Sequence, residues 1–234
     1  MNNRSFHVTA IILAAGTGSR MKADISKQRM IICGESVLRH TLHAFSDSEY
    51  IDDIVLVCRP EEECTIKLEL ANDFPKVKAM VCGGKTRAES ALRGFLSISE
   101  ECQFVAIHDA ARCLVTSEMI SSVVKTAFKT GAATAASRVC STLKRTDSLG
   151  FITDTVSREN MYFAETPQVF SKELYARAIE NKNLDDAITD DNMLVESIGV
   201  KIKCVDTGGT NIKITTQDDL LFAEYIINRR KTNE

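Results

Sequence analysis

The chain has 234 residues, of which 44% are hydrophobic and 26% are charged. A chain of this length and composition can bury a globular core without disulfides or metals, which excludes wholesale disorder. The formal net charge of −3 excludes a global positive field that would attract nucleic acid or anionic membranes. An anionic ligand must therefore be held by a local cluster of cations.

The sequence also bounds the location of the protein and the state of its cysteines. It shows neither a secretory signal pattern at its start nor an apolar run of the roughly 18 residues that a membrane span needs, so we expect a cytoplasmic protein without a membrane partner. The eight cysteines form no C-x-x-C pair, and most lie in or beside apolar runs. We therefore expect free, buried thiols rather than a zinc site or disulfides.

Short apolar runs alternate with helical patterns through the first half of the chain. The runs that predict strands begin at His7, Asp53, Val77, Phe104 and Ala132. Helices are predicted over 36–45, 61–70, 86–98 and 116–130, and Thr86, Thr116 and Thr216 are the residue type that caps helix starts. Apolar strands that alternate with helices indicate an α/β fold with a mostly parallel, Rossmann-like sheet and helices on both faces.

The pattern changes after Ser137. The stretch 138–165 is polar, contains Gly150 in a predicted turn and alternates in "GFITDTV". We predict that this stretch is a hairpin arm that projects from the sheet, rather than another strand–helix unit. Since no internal repeat or linker is present, we expect a single domain over 1–234 that carries this arm.

The first candidate ligand-binding segment follows the first predicted strand and reads "ILAAGTGSRMKADISKQ". Gly16 and Gly18 let the backbone approach a ligand, and successive N–H groups in such a loop form a nest for anions. Arg20 and Lys27 add positive charge where phosphate groups would lie. A dinucleotide-binding turn needs a third glycine where this chain has Met21, and the G-K-[ST] of a Walker loop is absent from this segment.

The second candidate segment, "CGGKTRAES", lies where a predicted strand ends and a capped helix begins. The free N–H groups and partial positive charge of this helix end suit an anion or the polar edge of a base. Arg87 lies in the first helical turn, where the helix dipole favours acids, and this position of a cation hints at a role in ligand binding.

The third candidate segment is "VAIHDAAR", in which Asp109 ends a predicted strand. Ligands bind beyond the carboxyl ends of strands in open parallel sheets, and an aspartate there can hold Mg²⁺ on a triphosphate. Arg112 is placed to pair with a phosphate through two hydrogen bonds. Taken by itself, His108 is best interpreted as a buried core histidine.

Polar motifs later in the chain, "TVSREN", "ETPQVF", "ITDDNM" and "TNIKITT", complete the pattern. Read in order from about Val8 to Tyr225, all these motifs resemble the 2-C-methyl-D-erythritol 4-phosphate cytidylyltransferase family. The resemblance implies a nucleotidyltransferase that joins a polyol phosphate to the CMP part of CTP, uses Mg²⁺ and releases pyrophosphate. It also implies that the arm completes a homodimer.

The resemblance implies roles for the residues at the matching positions. Nucleotide-binding residues would be Ala14, Ala15, Gly16, Gly18, Gly83, Gly84, Arg87 and Ser90. Substrate-binding residues would be Asp109, which would also bind Mg²⁺, together with Arg112, Thr142, Thr166 and Thr189. Catalytic residues would be Arg20, Lys27, Lys213 and Arg158, of which Arg158 would reach into the site of the partner subunit.

Four residues depart from the family pattern. Ser26 and Cys113 stand where the family has proline, and Ser141 and Ser157 stand where it has aspartate. Two of them lie in the arm, so the departures concern the acceptor more than CTP. The alternatives are a ribitol 5-phosphate cytidylyltransferase, whose pattern has H-D-S-V-R in place of "HDAAR", an NAD-dependent oxidoreductase and a degenerate nucleotide-binding regulator.

Overall fold

The computed structural model describes residues 6–16, 26–70, 73–181 and 188–232. Its strands are β1 (Val8–Leu13), β2 (Ile31–Ile32), β3 (Glu35–Ser36), β4 (Asp53–Cys58), β5 (Val77–Cys82), β6 (Phe104–Asp109), β7 (Ala132–Arg138), β8 (Leu143–Thr146), β9 (Ile152–Val156), β10 (Tyr162–Ser171) and β11 (Lys203–Asp206). Its α-helices are α1 (Val37–Asp47), α2 (Glu63–Leu70), α3 (Arg87–Phe95), α4 (Ser117–Thr130), α5 (Lys172–Glu180), α6 (Asp191–Glu196) and α7 (Gln217–Thr232).

The central sheet has seven strands in the order β11-β7-β10-β6-β1-β4-β5. Strand β10 runs antiparallel to both of its neighbours, and the other pairs are parallel. The chain proceeds outward from β1 through β4 to β5 and then returns to β6 on the other side of β1. The topological switch point therefore lies between the adjacent strands β1 and β6, and open α/β sheets bind ligands at the carboxyl ends of the strands at such a point.

Side chains alternate between the two faces along each strand, and a hydrophobic core lies on each face of the sheet. Ala10 and Ile12 of β1 belong to one buried cluster, into which α1, α2 and α4 pack, whereas Ile11 and Leu13 belong to a second cluster with α3, α5 and α6. Successive side chains of a strand point to opposite faces, so the two clusters lie on opposite sides of the sheet. The predicted α/β fold with helices on both faces is confirmed.

The predicted helix caps are also confirmed. The Oγ1 atoms of Thr86 and Thr116 accept hydrogen bonds from backbone N–H groups in the first turns of α3 and α4. Thr216 accepts from the N–H of Asp219 in the same way at 3.3 Å. Each cap satisfies a donor that a helix start leaves without an intrahelical partner, which explains why these helices begin where the sequence predicts.

The arm is shorter than the sequence predicts. Strands β8 and β9 form a separate antiparallel pair, as expected for a hairpin. However, the predicted range 138–165 runs too far, because β10 begins at Tyr162 and pairs with Arg138 of the central sheet. Strands β10 and β11, which follow the long polar stretch, were not predicted from the sequence.

All eight cysteines are free, as predicted, but the prediction that they are buried is only partly correct. Cys58, Cys102 and Cys113 are buried, whereas Cys64, Cys140 and Cys204 are exposed. Cys204 lies on β11 at the edge of the sheet, where one neighbouring strand is missing, and Cys140 precedes the arm. Neighbouring apolar residues therefore did not predict burial at the rim of the fold. In the described part of the chain, no helix has the length and apolar character to cross a membrane.

Candidate active site

A cavity of about 290 Å³ opens at the carboxyl ends of β1, β5 and β6, beside the switch point. Residues from all of the predicted segments that precede the arm meet in it, joined by one lysine from the segment after β11. The lining residues are Leu13, Ala15, Gly16, Lys27, Gln28, Gly84, Lys85, Thr86, Arg87, Ser90, Asp109, Ala111 and Lys213. The sequence placed these motifs far apart along the chain, and the parallel sheet brings them together.

The loop after β1 is held in place from both sides. The N–H of Ala14 donates to the carbonyl of Val57 on β4 at 2.7 Å, which continues the sheet pairing beyond the strand. Nε2 of Gln28 donates to the carbonyl of Gly16 at 3.1 Å. Gln28 was not predicted as a site residue, although it ends the first motif. The predicted residues Gly18 and Arg20 lie outside the described residues, and their roles stay predictions.

The turn between β5 and α3 is close-packed against the β1 loop. A Cβ atom on Gly83 would lie 2.3 Å from the Cβ of Ala15, so only glycine fits there. The N–H of Gly84 donates to Oγ of Ser90 at 3.0 Å, and this hydroxyl donates to the carbonyl of Thr86. Ser90 therefore shapes the turn, whose backbone lines the cavity.

Asp109 is held between two cations at the end of β6. Its Oδ1 accepts from Nε of Arg87 at 3.0 Å, and its Oδ2 accepts from Nζ of Lys213 at 2.7 Å. Burial alone would raise the pKa of Asp109, but the positive charges of Arg87 and Lys213 outweigh burial and hold that pKa well below its ordinary value. Asp109 is therefore ionised at neutral pH and is the one carboxylate among the described residues that line this cavity.

The placement of Arg87 modifies the interpretation of its motif. Besides Asp109, its guanidinium pairs through Nη1 with Asp191 at 2.6 Å. Two carboxylates thus offset the unfavourable position of a cation in the first turn of α3. Burial lowers and these carboxylates raise the pKa of Arg87, and the carboxylates prevail, so Arg87 stays charged. Its Nη2 is buried without a hydrogen-bond partner among the described residues.

Lys27 is a buried lysine in the 3₁₀ turn Lys27–Arg29. Its Nζ donates to the carbonyl of Ile214 at 3.2 Å, which ties the first motif to the segment that carries Lys213. Lys27 and Lys213 thus enter the same cavity from segments that are distant in sequence. Charges in such a partly desolvated place interact more strongly than charges in water.

A second, larger cavity of about 630 Å³ shares Lys213 with the first and lies beside the base of the arm. Arg112 lines it, donating from Nη1 to the carbonyl of Asn211 at 2.8 Å, while its Nε is buried without a partner among the described residues. Ser141 and Glu165 also line this cavity. Lys213 lines both cavities, which therefore adjoin each other at this residue.

His108 is the buried core histidine that the sequence suggested. It is fully buried, packs against Phe45 and forms a hydrogen bond through Nδ1 with Oγ1 of Thr166 at 3.0 Å. Burial lowers its pKa to about 3, so it is neutral at physiological pH. The same Oγ1 accepts from the N–H of Asp109 at 3.1 Å, so Thr166 positions Asp109 and does not itself line either cavity.

Three other predicted residues lie away from both cavities in the single chain. Thr142 and Thr189 are exposed. Arg158 is also exposed, and its Nη1 donates to the backbone carbonyl of Cys140 at the base of the arm. Their substrate-binding and catalytic roles stay predictions.

A fold of this kind, with a switch-point cavity lined by glycines, cations and one carboxylate, defines a nucleotide-binding α/β protein suited to transfer at a phosphate. The model of the 2-C-methyl-D-erythritol 4-phosphate cytidylyltransferase family matches residues 8–229, and the chain belongs to that family. This membership confirms the prediction of a nucleotidyltransferase enzyme and favours it over the oxidoreductase and regulator alternatives.

Curated relatives and solved structures agree with this assignment. The chain is 38% identical over 227 residues to a 2-C-methyl-D-erythritol 4-phosphate cytidylyltransferase of Caldanaerobacter subterraneus, covering 95% of this chain and 100% of that protein. It is 40% identical over 221 residues to the enzyme of the same name from Lachnospira eligens, covering 92% and 96%. The crystal structure of 4-diphosphocytidyl-2C-methyl-D-erythritol synthase from Anaerococcus prevotii superposes with a TM-score of 0.83 at 31% identity, covering 96% and 99%.

Proposed function

We propose that this chain transfers the cytidylyl group of CTP to 2-C-methyl-D-erythritol 4-phosphate and releases pyrophosphate, a step in the synthesis of isoprenoid precursors. The observation that carries the proposal is the convergence of Lys27, Lys213 and the Arg87–Asp109 pair on one cavity at the switch point. The identities of the nucleotide, CTP, and of the acceptor are inferred from the family to which the chain belongs. This assignment is favoured over the ribitol 5-phosphate alternative because the matching family and the named relatives agree on the acceptor.

The chemistry needs charge and position rather than a base. An oxygen of the acceptor phosphate is already anionic at neutral pH, so it can attack the α-phosphorus directly. The new bond joins that oxygen to the α-phosphorus, and the bond from the α-phosphorus to the β-phosphate oxygen breaks, so pyrophosphate leaves with its electron pair. Catalysis then consists of alignment and stabilisation of the growing negative charge, which Lys27 and Arg20 would supply.

The second cavity is the proposed place of the acceptor. It adjoins the nucleotide cavity at Lys213, and Arg112 supplies a second cation for the acceptor phosphate. The departure at Ser141 lies on this cavity and away from the nucleotide cavity, which supports the expectation that the departures concern the acceptor.

We also propose that Mg²⁺ assists the reaction at Asp109. The described residues contain no cluster of three or more His, Cys, Asp or Glu side chains arranged for a metal ion. A single carboxylate nevertheless fits Mg²⁺, which keeps several waters and is bound through one or two carboxylates together with substrate phosphates. Each oxygen of Asp109 accepts one hydrogen bond from a cation and retains a second lone pair. The ion would offset negative charge on the triphosphate.

Replacing Asp109 with asparagine should raise the Mg²⁺ concentration needed for half-maximal activity, because one anionic ligand is lost while the side-chain shape is kept. The measurement is pyrophosphate release as a function of Mg²⁺ at saturating CTP. Full activity of the wild-type enzyme in a chelator would exclude this role for Asp109.

CTP should be preferred over ATP and GTP by about 100-fold or more in kcat/KM, because a cavity that binds the cytosine edge through backbone groups leaves purine groups unpaired. The assay measures pyrophosphate release with each triphosphate against a panel of polyol phosphates. The methylerythritol phosphate should be the best acceptor, and ribitol 5-phosphate is the informative comparison. Equal rates with purine triphosphates would contradict the nucleotide assignment, and a higher rate with ribitol 5-phosphate would contradict the acceptor.

We further propose a homodimer that forms through the arm. The hairpin exposes large apolar side chains that no other part of the described chain covers, namely Leu149, Phe151 and Ile152. Phe163, near the start of β10, is also exposed. A cluster of exposed apolar residues on an arm supports an interface with another copy of the chain.

A further inference from the structure

Asp191 is a buried carboxylate behind the wall of the nucleotide cavity. It is the first residue of α6, has no exposed surface and does not line the cavity. It lies in the motif "ITDDNM", but no role for it follows from the sequence. A fully buried carboxylate is costly unless it is paired and hydrogen-bonded, so its partners indicate its purpose.

Three elements fix Asp191. Its Oδ1 accepts from the hydroxyl of Tyr175 on α5 at 2.6 Å, and its Oδ2 accepts from Nη1 of Arg87 at 2.6 Å. Its backbone N–H donates to Oε1 of Gln168 on β10 at 2.9 Å. Tyr175 and Gln168 are themselves buried. The Asp191 carboxylate is therefore a rigid anchor, and within the described ranges its one ion-pair partner is the Arg87 guanidinium that holds Asp109.

Two carboxylates and two cations alternate along a chain of ion pairs that includes Asp191. Arg87 lies between Asp191 and Asp109, and Lys213 contacts the second oxygen of Asp109. With Nη1 tied to Asp191, Arg87 is restrained from turning toward the triphosphate and presents Nε to Asp109. Without this anchor, the guanidinium would be free to leave Asp109 for the phosphates, and the carboxylate would lose its fixed orientation.

From this geometry, and on the basis of the proposed function, we infer that Asp191 is a positioning residue. The chain Tyr175–Asp191–Arg87 orients Asp109 for the Mg²⁺ complex of CTP. Asp191 acts through Arg87 and touches neither nucleotide nor acceptor. Its contribution is therefore expected in the binding of CTP with Mg²⁺ rather than in the binding of CTP alone.

The test compares Asp191→Asn and Tyr175→Phe with the wild type by calorimetric titration of CTP, with and without Mg²⁺. Asp191→Asn should raise the Kd of CTP with Mg²⁺ roughly 10- to 100-fold, as is typical when the partner of a metal ligand is lost. The Kd of CTP alone should stay close to wild type. Tyr175→Phe, which removes one hydrogen bond to the anchor, should raise the Kd with Mg²⁺ by about 2- to 10-fold.

A matched control is Asp53→Asn, which removes a partly buried carboxylate that pairs with His7 at the amino end of β4, the opposite edge of the sheet. It should leave both Kd values unchanged. In an Arg87→Gln background, Asp191→Asn should cause no further loss of affinity, because its effect is transmitted through Arg87. Equal losses with and without Mg²⁺, or an undiminished effect of Asp191→Asn in the Arg87→Gln background, would overturn the inference and leave Asp191 a structural residue.

The same titrations separate this inference from the proposed function. If the wild-type chain binds CTP with Mg²⁺ but releases no pyrophosphate with any polyol phosphate, the proposed function fails, and the comparison of Kd values still decides the role of Asp191. A wild-type chain that does not bind CTP overturns both.

Discussion

Replacing Lys27 with alanine is expected to lower kcat about 100-fold or more while changing the KM for CTP much less. Lys27 is buried at the cavity, and its Nζ is held by the carbonyl of Ile214, so its charge is already in place before substrates bind. Charge on the α-phosphate grows only as the acceptor oxygen attacks. The cation therefore stabilises the transition state more than the ground state, which lowers kcat rather than binding.

The measurement is steady-state pyrophosphate release with CTP and the acceptor varied separately. Lys27→Met keeps the apolar stem and should lose as much turnover as Lys27→Ala, which separates charge from packing. Lys67→Ala, on the exposed surface of α2, is the control and should behave as wild type. Near-wild-type turnover of both Lys27 variants would remove Lys27 from the catalytic machinery.

Replacing Arg158 with alanine is expected to leave each homodimer nearly inactive, yet active again when paired with the right partner variant. Arg158 is exposed at the base of the arm and lines neither cavity of its own chain. If the arm crosses the dimer, Arg158 serves the neighbouring site. A mixed dimer of Arg158→Ala and Lys27→Ala chains then has one site with both defects and one site with neither.

The two variants are unfolded together, refolded and assayed, with mixed dimers confirmed by mass. Random assortment makes half of the dimers mixed, so roughly a quarter of wild-type activity should return. A mixture of Lys27→Ala and Lys213→Ala is the matched control. Both of these residues line the cavity of one chain, so each site of the mixed dimer carries a defect and activity should not return. Recovery in the Arg158 mixture no greater than the average of the separate variants would show that Arg158 acts within its own chain or not at all.

Local patterns account for most of the fold that could be predicted. The strand that begins near His7 and the helices capped by Thr86 and Thr116 follow from apolar periodicity and from side chains that satisfy their own backbone neighbours. Strand β10 was not predicted because its apolar residues follow a polar stretch. Its antiparallel insertion between β6 and β7 also depends on pairing with strands that are distant in sequence.

Part of the candidate site could likewise be predicted from local sequence, and part depends on tertiary contacts. Glycines and cations at strand ends indicated a phosphate site from sequence alone, because residue type and spacing express what an anion requires. The partners of those cations were not visible in the sequence. The sequence predicts Arg87 as a ligand-binding cation, but the structure pairs it with two carboxylates, of which Asp191 is 104 residues away along the chain.

The sequence by itself thus determined the alternation of strands and helices up to β7, the α/β class and the motifs that belong to a cytidylyltransferase. Only the tertiary structure decided that Gln28 holds the Gly16 loop, that Thr166 positions Asp109 and that Asp191 anchors Arg87. The physical reason is the sequence separation over which each kind of interaction acts. Periodicity, capping and turn chemistry act between residues a few positions apart, whereas the partner of a buried charge is set by which strands and helices the fold brings side by side.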